Sequence, residues 1–86
     1  MTHPDVILYA LSTCIHCRHT RQFLEENQIS FDCTYVDKLQ GEEQKQAMEK
    51  VREVNPRLSF PTMIVGPSHV VVVGFNPEAI MEALSA

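Results

Sequence analysis

The chain has 86 residues, of which 44% are hydrophobic, and a formal net charge of −4. This size allows one folded domain with a modest core, since small domains bury only about 60% of the surface of the unfolded chain. No cluster of Lys and Arg marks a nucleic-acid or anionic-membrane surface, and the N-terminus shows no export signal. We therefore expect a single domain over residues 1–86, monomeric, cytoplasmic and without a nucleic-acid or membrane partner.

Two units of a strand followed by a helix are predicted for the first half. Apolar strand formers fill residues 6–11 and stop at Ser12 and Thr13, two residues that favour a helix N-cap. A helix follows over residues 15 to about 27, because apolar or small side chains recur there at helical spacing. After it come a strand over residues 31–36 and a charged helix that starts after Gly41 and stops at Asn55 and Pro56.

The second half predicts a hairpin and a closing helix. Short apolar strands at residues 62–65 and 70–73 flank residues 66–69, whose Gly-Pro-Ser-His composition indicates a reversal. In the last helix Asn76 suits the N-cap and Pro77 the first position. The apolar stripe of this helix is predicted to consist of Ile80, Met81 and Leu84.

The predicted order of elements is β-α-β-α-β-β-α. Two crossover connections of this kind should be right-handed and should leave their strands parallel, with the hairpin strands pairing antiparallel. The sequence thus predicts an α/β fold with a four-stranded mixed sheet flanked by three helices.

Two cysteines, in the segment Cys14-Ile15-His16-Cys17, stand where the first strand gives way to a helix. Two intervening residues at a helix start hold two sulfurs within bridging distance, and unpaired N–H groups there favour a thiolate. We expect Cys14 to be the nucleophile and Cys17 the resolving thiol. The alternatives are a zinc site or two buried cysteines, but a closed zinc site needs four ligands, and scattered histidines would have to supply some of them.

The charge order of the first helix supports a thiolate at its start. Basic residues come early and acidic residues late, the reverse of the order in the next helix. The structural alternative is a surface pair between Arg21 and Glu25 at i,i+4 spacing. His16 either adds positive charge beside Cys14 or is a solvated histidine.

Three motifs resemble the glutaredoxin branch of the thioredoxin superfamily: the Cys14-to-Cys17 segment, Ser59-Phe60-Pro61-Thr62, and Gly74-Phe75-Asn76-Pro77. The resemblance implies the thioredoxin-like fold and a thiol–disulfide oxidoreductase without a tightly bound cofactor. It also implies that Pro61 is cis, packs beside the cysteines, and follows a residue, Phe60, whose backbone binds the substrate. The substrate-binding residues implied are Ser12, Thr13, His16, Arg57, Phe60, Pro61, Gly74 and Phe75.

The resemblance implies that the electron donor is glutathione, as co-substrate, or thioredoxin reductase, and that disulfide-containing proteins are the partners. Glutathione-dependent members usually have Pro-Tyr between the cysteines, a lysine before them and a Gly-Gly turn ending in an acidic residue. This chain has Ile15-His16, Ser12 and Gly74-Phe75-Asn76 at those places. The Gly-Phe-x-Pro turn is instead similar to NrdH-redoxins, which take electrons from thioredoxin reductase.

Two further functions compete with the redox interpretation. One is an iron–sulfur carrier that uses Cys14, and the other is a non-catalytic binding module of thioredoxin fold. Cys33 is expected to pack in the interior, with regulatory oxidation as the alternative. No histidine spacing suggests a metal site, so no metal ligand is predicted.

Overall fold

Four strands and three helices follow one another in the part of the chain that the computed structural model describes, residues 6–66 and 69–85. Their order confirms the predicted β-α-β-α-β-β-α succession. The strands are β1 (Val6–Ala10), β2 (Asp32–Tyr35), β3 (Thr62–Val65) and β4 (Val70–Val73). The helices are α1 (Ile15–Glu26), α2 (Gly41–Val54) and α3 (Pro77–Ser85), and a short 3-10 turn, Val36–Lys38, follows β2.

The mixed sheet has the strand order β2-β1-β3-β4. β1 and β2 are parallel, as predicted, whereas β3 is antiparallel to β1, so the prediction of a second parallel crossover is wrong. The reason is that the chain re-enters the sheet at the edge where β1 and β2 end, with Tyr9 of β1 opposite Thr62, the first residue of β3. The ends of β1 and β2 and the start of β3 therefore meet at one edge of the sheet, called the site edge below.

The hairpin of β3 and β4 is confirmed by their antiparallel register. Its predicted reversal at residues 66–69 includes Pro67 and Ser68, which lie outside the described residues.

Helices cover both faces of the sheet. On the first face, α1 and α3 bury a cluster that contains Leu8, Leu24, Met63 and Ile80. On the other face, α2 buries a smaller cluster made of Tyr9, Val36, Ala47 and Val51. Full burial of one such aliphatic side chain contributes about 1.5–3 kcal/mol, so these two clusters fix the helices against the sheet.

Helix α3 begins as predicted but presents a different stripe to the core. The Ala79 N–H donates to Asn76 Oδ1 at 3.1 Å, which confirms the Asn76 cap. The buried positions are Ile80 and Ala83, while Met81 is 46% exposed. The prediction of Met81 as a core residue is wrong because residues i and i+3 share a helix face, whereas adjacent residues do not. Within the described ranges, no helix has the length and apolar content needed to cross a membrane.

Candidate functional site

Cys14 lies at the site edge as the N-cap of α1. Its backbone is extended, with φ −90° and ψ 121°, and its N–H donates to the Leu11 carbonyl at 3.2 Å. The Cys14 Sγ accepts the N–H of Cys17 at 3.2 Å, the bond that an oxygen of Ser, Thr, Asp or Asn usually accepts at this position. The prediction of Ser12 or Thr13 as the cap is wrong, since residues 11–13 are needed to turn the chain from strand to helix. A half-buried sulfur thus faces the free N–H groups of the helix.

Cys17 occupies a different environment although it is only three residues away. It is 2% exposed and belongs to the core cluster beneath α1. Burial raises the pKa of Cys17 to about 12, and its hydrogen bond with Cys14 adds to the effect. The Cys17 side chain is therefore a protonated thiol at neutral pH, and the two sulfurs of the motif differ in access.

The loop before β3 forms the second side of the site. The Phe60–Pro61 peptide bond is cis, as the resemblance implies, and Pro61 is buried. The Phe60 carbonyl is turned toward the cysteines, with its oxygen 4.0 Å from Cys14 Sγ. The Pro61 carbonyl accepts the N–H of Gly74 at 2.9 Å. The three motifs quoted from the sequence therefore come together at the site edge.

A buried asparagine that the sequence analysis missed holds this loop in place. Asn55 is 6% exposed and its Nδ2 lies 3.0–3.1 Å from three acceptors: the carbonyl and Oγ of Ser59 and the Oγ1 of Thr62. The Thr62 hydroxyl in turn donates to the Ser59 carbonyl at 2.7 Å. An Asn at the stop of α2 followed by Ser and Thr was visible in the sequence, but its burial was not.

Ser12 has an internal partner that was also missed. Its backbone N–H donates to Asp37 Oδ1 at 3.0 Å, and its hydroxyl donates to Asp37 Oδ2. These hydrogen bonds, that of the Ser12 hydroxyl first, hold the pKa of Asp37 below its usual range. Asp37 follows β2, so this pair joins the ends of β1 and β2 next to the cysteines.

The remaining predicted residues form an exposed rim. Thr13 and His16 flank Cys14 and are exposed, as is Ile15 at 49%. Gly74 has φ +81°, a conformation that glycine adopts without strain. Phe75, 38% exposed, packs its ring edge-on against His19 and Phe23.

Arg57 is exposed and takes part in none of the hydrogen bonds or ion pairs of the described residues, so its place in substrate binding stays a prediction. Arg21 and Glu25 form the predicted surface pair at 3.9 Å. Cys33 is half-buried against the core beneath α1, and this burial raises its pKa. In the part of the chain that the structure describes, no group of three or more His, Cys, Asp or Glu side chains could hold a metal ion.

Comparison with known proteins adds independent information. The family model described as Glutaredoxin matches residues 6–70. No curated protein sequence matches the chain. Among solved structures, the glutaredoxin from Methanosarcina mazei Go1 is 43% identical, with TM-score 0.88 over 95% of this chain and 79% of that one. Glutaredoxin grx-1 from Archaeoglobus fulgidus is 36% identical, with TM-score 0.88 over 96% and 88%.

A more distant solved structure is also similar to the chain. NrdH-redoxin from Escherichia coli, a glutaredoxin-like protein with a thioredoxin-like activity profile, is 25% identical, with TM-score 0.73 over 90% of this chain and 91% of that one. The match to the family covers most of the chain and agrees with the cysteine pair, the cis-proline and the topology. The chain belongs to the glutaredoxin family and is a thiol–disulfide oxidoreductase of thioredoxin-like fold.

Proposed function

We propose that the chain reduces protein disulfides, or mixed disulfides of glutathione, with Cys14 as nucleophile and Cys17 as resolving thiol. The observation that carries this assignment is the hydrogen bond from the Cys17 N–H to Cys14 Sγ. It places a donor where negative charge on the sulfur develops, at the positive end of the α1 dipole. Cys17, whose thiol is buried and protonated, cannot make the first attack.

The reaction then has two exchange steps. The Cys14 thiolate attacks one sulfur of the substrate disulfide, forms a mixed disulfide and releases the other sulfur as a thiolate. Cys17 next gives up its proton and attacks Cys14, forming the Cys14–Cys17 disulfide and releasing the second substrate thiol. Two electrons have passed to the substrate, and the donor restores the dithiol by reducing the Cys14–Cys17 bond.

Substrate binding is assigned to the rim of the site. The backbone of Phe60 lies beside Cys14, where an extended substrate segment can pair with it. Thr13 and His16 lie close to Cys14 in the chain, Phe75 follows the Gly74 turn, and all three are exposed, so they can contact the residues that flank the disulfide. A protein segment is therefore a suitable substrate.

For the electron donor, the site favours thioredoxin reductase over glutathione. The lysine usual in glutathione-dependent members is replaced by Ser12, whose hydroxyl is bonded to Asp37. The position of the second glycine is filled by Phe75, whose ring packs on α1. The site thus offers a glutathione molecule neither that cation nor close approach to the backbone at the Gly74 turn.

An NADPH-coupled disulfide reduction assay tests the function and the donor together. It is run once with thioredoxin reductase and once with glutathione plus glutathione reductase. We expect activity with the former, its loss in Cys14→Ser, and a trapped mixed disulfide with substrate in Cys17→Ser. Activity with neither donor contradicts the proposal. A visible absorbance band in anaerobically purified protein that Cys14→Ser removes would indicate cluster carriage instead.

A further inference from the structure

An open groove of about 500 Å³ lies between α1 and α3, away from the cysteines. Its lining residues are Phe23, Asn27, Pro77, Glu78, Met81 and Glu82. Phe23 lies nine residues after Cys14, which is about 14 Å along the axis of α1. The groove is therefore separate from the disulfide-exchange site but continuous with it through the ring of Phe75, which contacts Phe23.

The floor of the groove is apolar and partly exposed. Met81 is 46% exposed, and Phe75, which contacts Phe23 from outside the lining, is 38% exposed. Methionine is flexible and polarisable, so it adapts to apolar side chains of different shapes. A cavity of this size accommodates one or two side chains of a bound segment.

The polar groups of the groove are mainly acceptors. Asn27 uses one N–H of its Nδ2 to donate to the Phe23 carbonyl at 2.8 Å, which leaves its amide oxygen to accept and its second N–H to donate. Glu78 and Glu82 are exposed, one turn apart on α3, and neither forms an ion pair within the described ranges. Like charges at this spacing repel each other.

The C-terminal end of α1 adds negative potential to the groove. The last turn of α1 contains no basic residue, and α3 contributes its first turn, Pro77 and Glu78, where the Glu78 carboxylate offsets the positive end of the α3 dipole. The negative end of the α1 dipole adjoins Asn27 and is not offset by a cation there. The lining therefore selects a ligand that brings donors and positive charge together with an apolar group.

We propose that this groove is a docking site for a short segment of a partner protein with an apolar side chain between lysine or arginine residues. The apolar side chain packs on Phe23 and Met81, and the flanking cations pair with Glu78 and Glu82. The role of this partner as the disulfide substrate rests on the proposed function, whereas the binding itself does not. A partner held here raises the effective concentration of its disulfide at Cys14.

Binding is tested by titrating ¹⁵N-labelled reduced protein with the blocked peptide Lys-Leu-Leu-Lys, with Lys-Ser-Ser-Lys and Glu-Leu-Leu-Glu as comparison peptides. We expect saturable shift changes in the second half of α1 and in α3 with the first peptide only. The double variant Glu78→Lys/Glu82→Lys should weaken binding about tenfold. Met81→Ser should weaken it about threefold.

The matched control is Glu49→Lys/Glu53→Lys, which reverses two exposed charges at the same spacing on α2, across the sheet. This variant should bind the peptide as the wild type does. If both double variants bind Lys-Leu-Leu-Lys equally more weakly than the wild type, the peptide is attracted only by the net charge of the protein. Shift changes that depend on protein concentration without peptide would indicate a second copy of the chain as the occupant. Either outcome, or no saturable shift with Lys-Leu-Leu-Lys, overturns the proposal.

Kinetics connect the groove to catalysis. A peptide disulfide joined by a five-residue spacer to Lys-Leu-Leu-Lys should show a KM about fivefold lower than its Lys-Ser-Ser-Lys counterpart, with kcat unchanged. The difference should vanish in Glu78→Lys/Glu82→Lys, while reduction of hydroxyethyl disulfide stays as in the wild type. If the wild type reduces neither the peptide disulfides nor hydroxyethyl disulfide, the proposed function is refuted. If the wild type reduces hydroxyethyl disulfide but shows equal KM values for the two peptide disulfides, only the docking role is refuted.

Discussion

The N-terminal end of α1 and the C-terminal end of α2 both lie at the site edge. α1 starts there, capped by the Cys14 sulfur, and has no acidic residue in its first turn. α2 starts elsewhere, without a side-chain cap, and carries Glu42 and Glu43 in its first turn. The C-terminal ends of the two helices differ in burial. The C-cap of α1, Asn27, is exposed, whereas the C-cap of α2, Asn55, is buried. At the site edge α1 is capped by a sulfur and α2 ends on a buried asparagine, whereas the capping residues at the free ends of both helices are exposed.

The largest expected effect concerns Cys17, the third residue of α1. Its pKa is raised from 9.0 to about 12, so the thiol ionises in the unfolded chain at a lower pH than in the folded one. The contribution of the Cys17 thiol to the free energy of unfolding is therefore fully present below pH 9. It falls by about 1.4 kcal/mol per pH unit between the two pKa values. Urea denaturation of the reduced protein at pH 8 and 10.5 should show a steeper loss in the wild type than in Cys17→Ala.

Glu43→Gln, at the equivalent position of α2, is the control. Its free energy of unfolding should fall between pH 8 and 10.5 as steeply as that of the wild type. The same loss of stability in wild type and Cys17→Ala would contradict the assigned pKa, because the remaining alkaline groups are common to both.

Next in size is the contrast between the two C-caps. Asn55→Ala removes the donor to the carbonyl and hydroxyl of Ser59 and to Thr62, and should lower the free energy of unfolding by about 2 kcal/mol. Asn27→Ala removes one exposed hydrogen bond and should cost less than about 1 kcal/mol. Chemical denaturation measures both. If the two variants lose equal stability, the buried network does not hold the loop before β3.

A smaller effect, on the reactivity of Cys14, is expected from replacing the second residue of α1, His16, by the type of residue found at the second position of α2, Glu42. A carboxylate in His16→Glu suits the helix dipole but opposes negative charge on Cys14 Sγ. Alkylation of Cys14 by iodoacetamide at pH 7 should slow about fivefold, while Glu42→His in α2 should leave the rate unchanged. An unchanged rate in His16→Glu would show that the thiolate does not depend on the charge of this turn.

The smallest effect is expected at Asp37. Its lowered pKa means that the carboxylate contributes stability above the ordinary carboxyl pKa and that this contribution disappears as pH falls through the lowered value. Asp37→Asn should therefore lower Tm at pH 7, and the difference from wild type should shrink on acidification below about pH 4. Asp32→Asn, an exposed residue of β2, should show no such pattern. A difference that persists in acid would mean that the Asp37 charge is not the cause.

The elements, the cysteine pair and the cis-proline loop could be predicted because their signals are local. Strand formers, helical spacing and turn residues each depend on a few neighbouring positions. The family resemblance added the isomer of Pro61, which the sequence by itself leaves to the more frequent trans form.

What could not be predicted depends on contacts between distant segments. The direction of β3 depends on where α2 returns the chain, and the exposure of Met81 depends on which face α3 presents to the sheet. Asp37 and Asn55 matter only because folding brings them to Ser12 and Thr62, which lie 25 and 7 residues away in sequence. No local pattern marks such pairs.

The sulfur cap of α1 also has a thermodynamic consequence for the chain as a whole. The Cys17 N–H bond to Cys14 Sγ belongs to the dithiol form, and a disulfide sulfur is a weaker acceptor than a thiolate. Folding and reduction form a closed cycle, so any free energy that the cap adds to the folded dithiol also makes the folded disulfide a better oxidant than the same disulfide in the unfolded chain. The beginning of one helix thus couples how firmly the protein folds to how readily it accepts electrons.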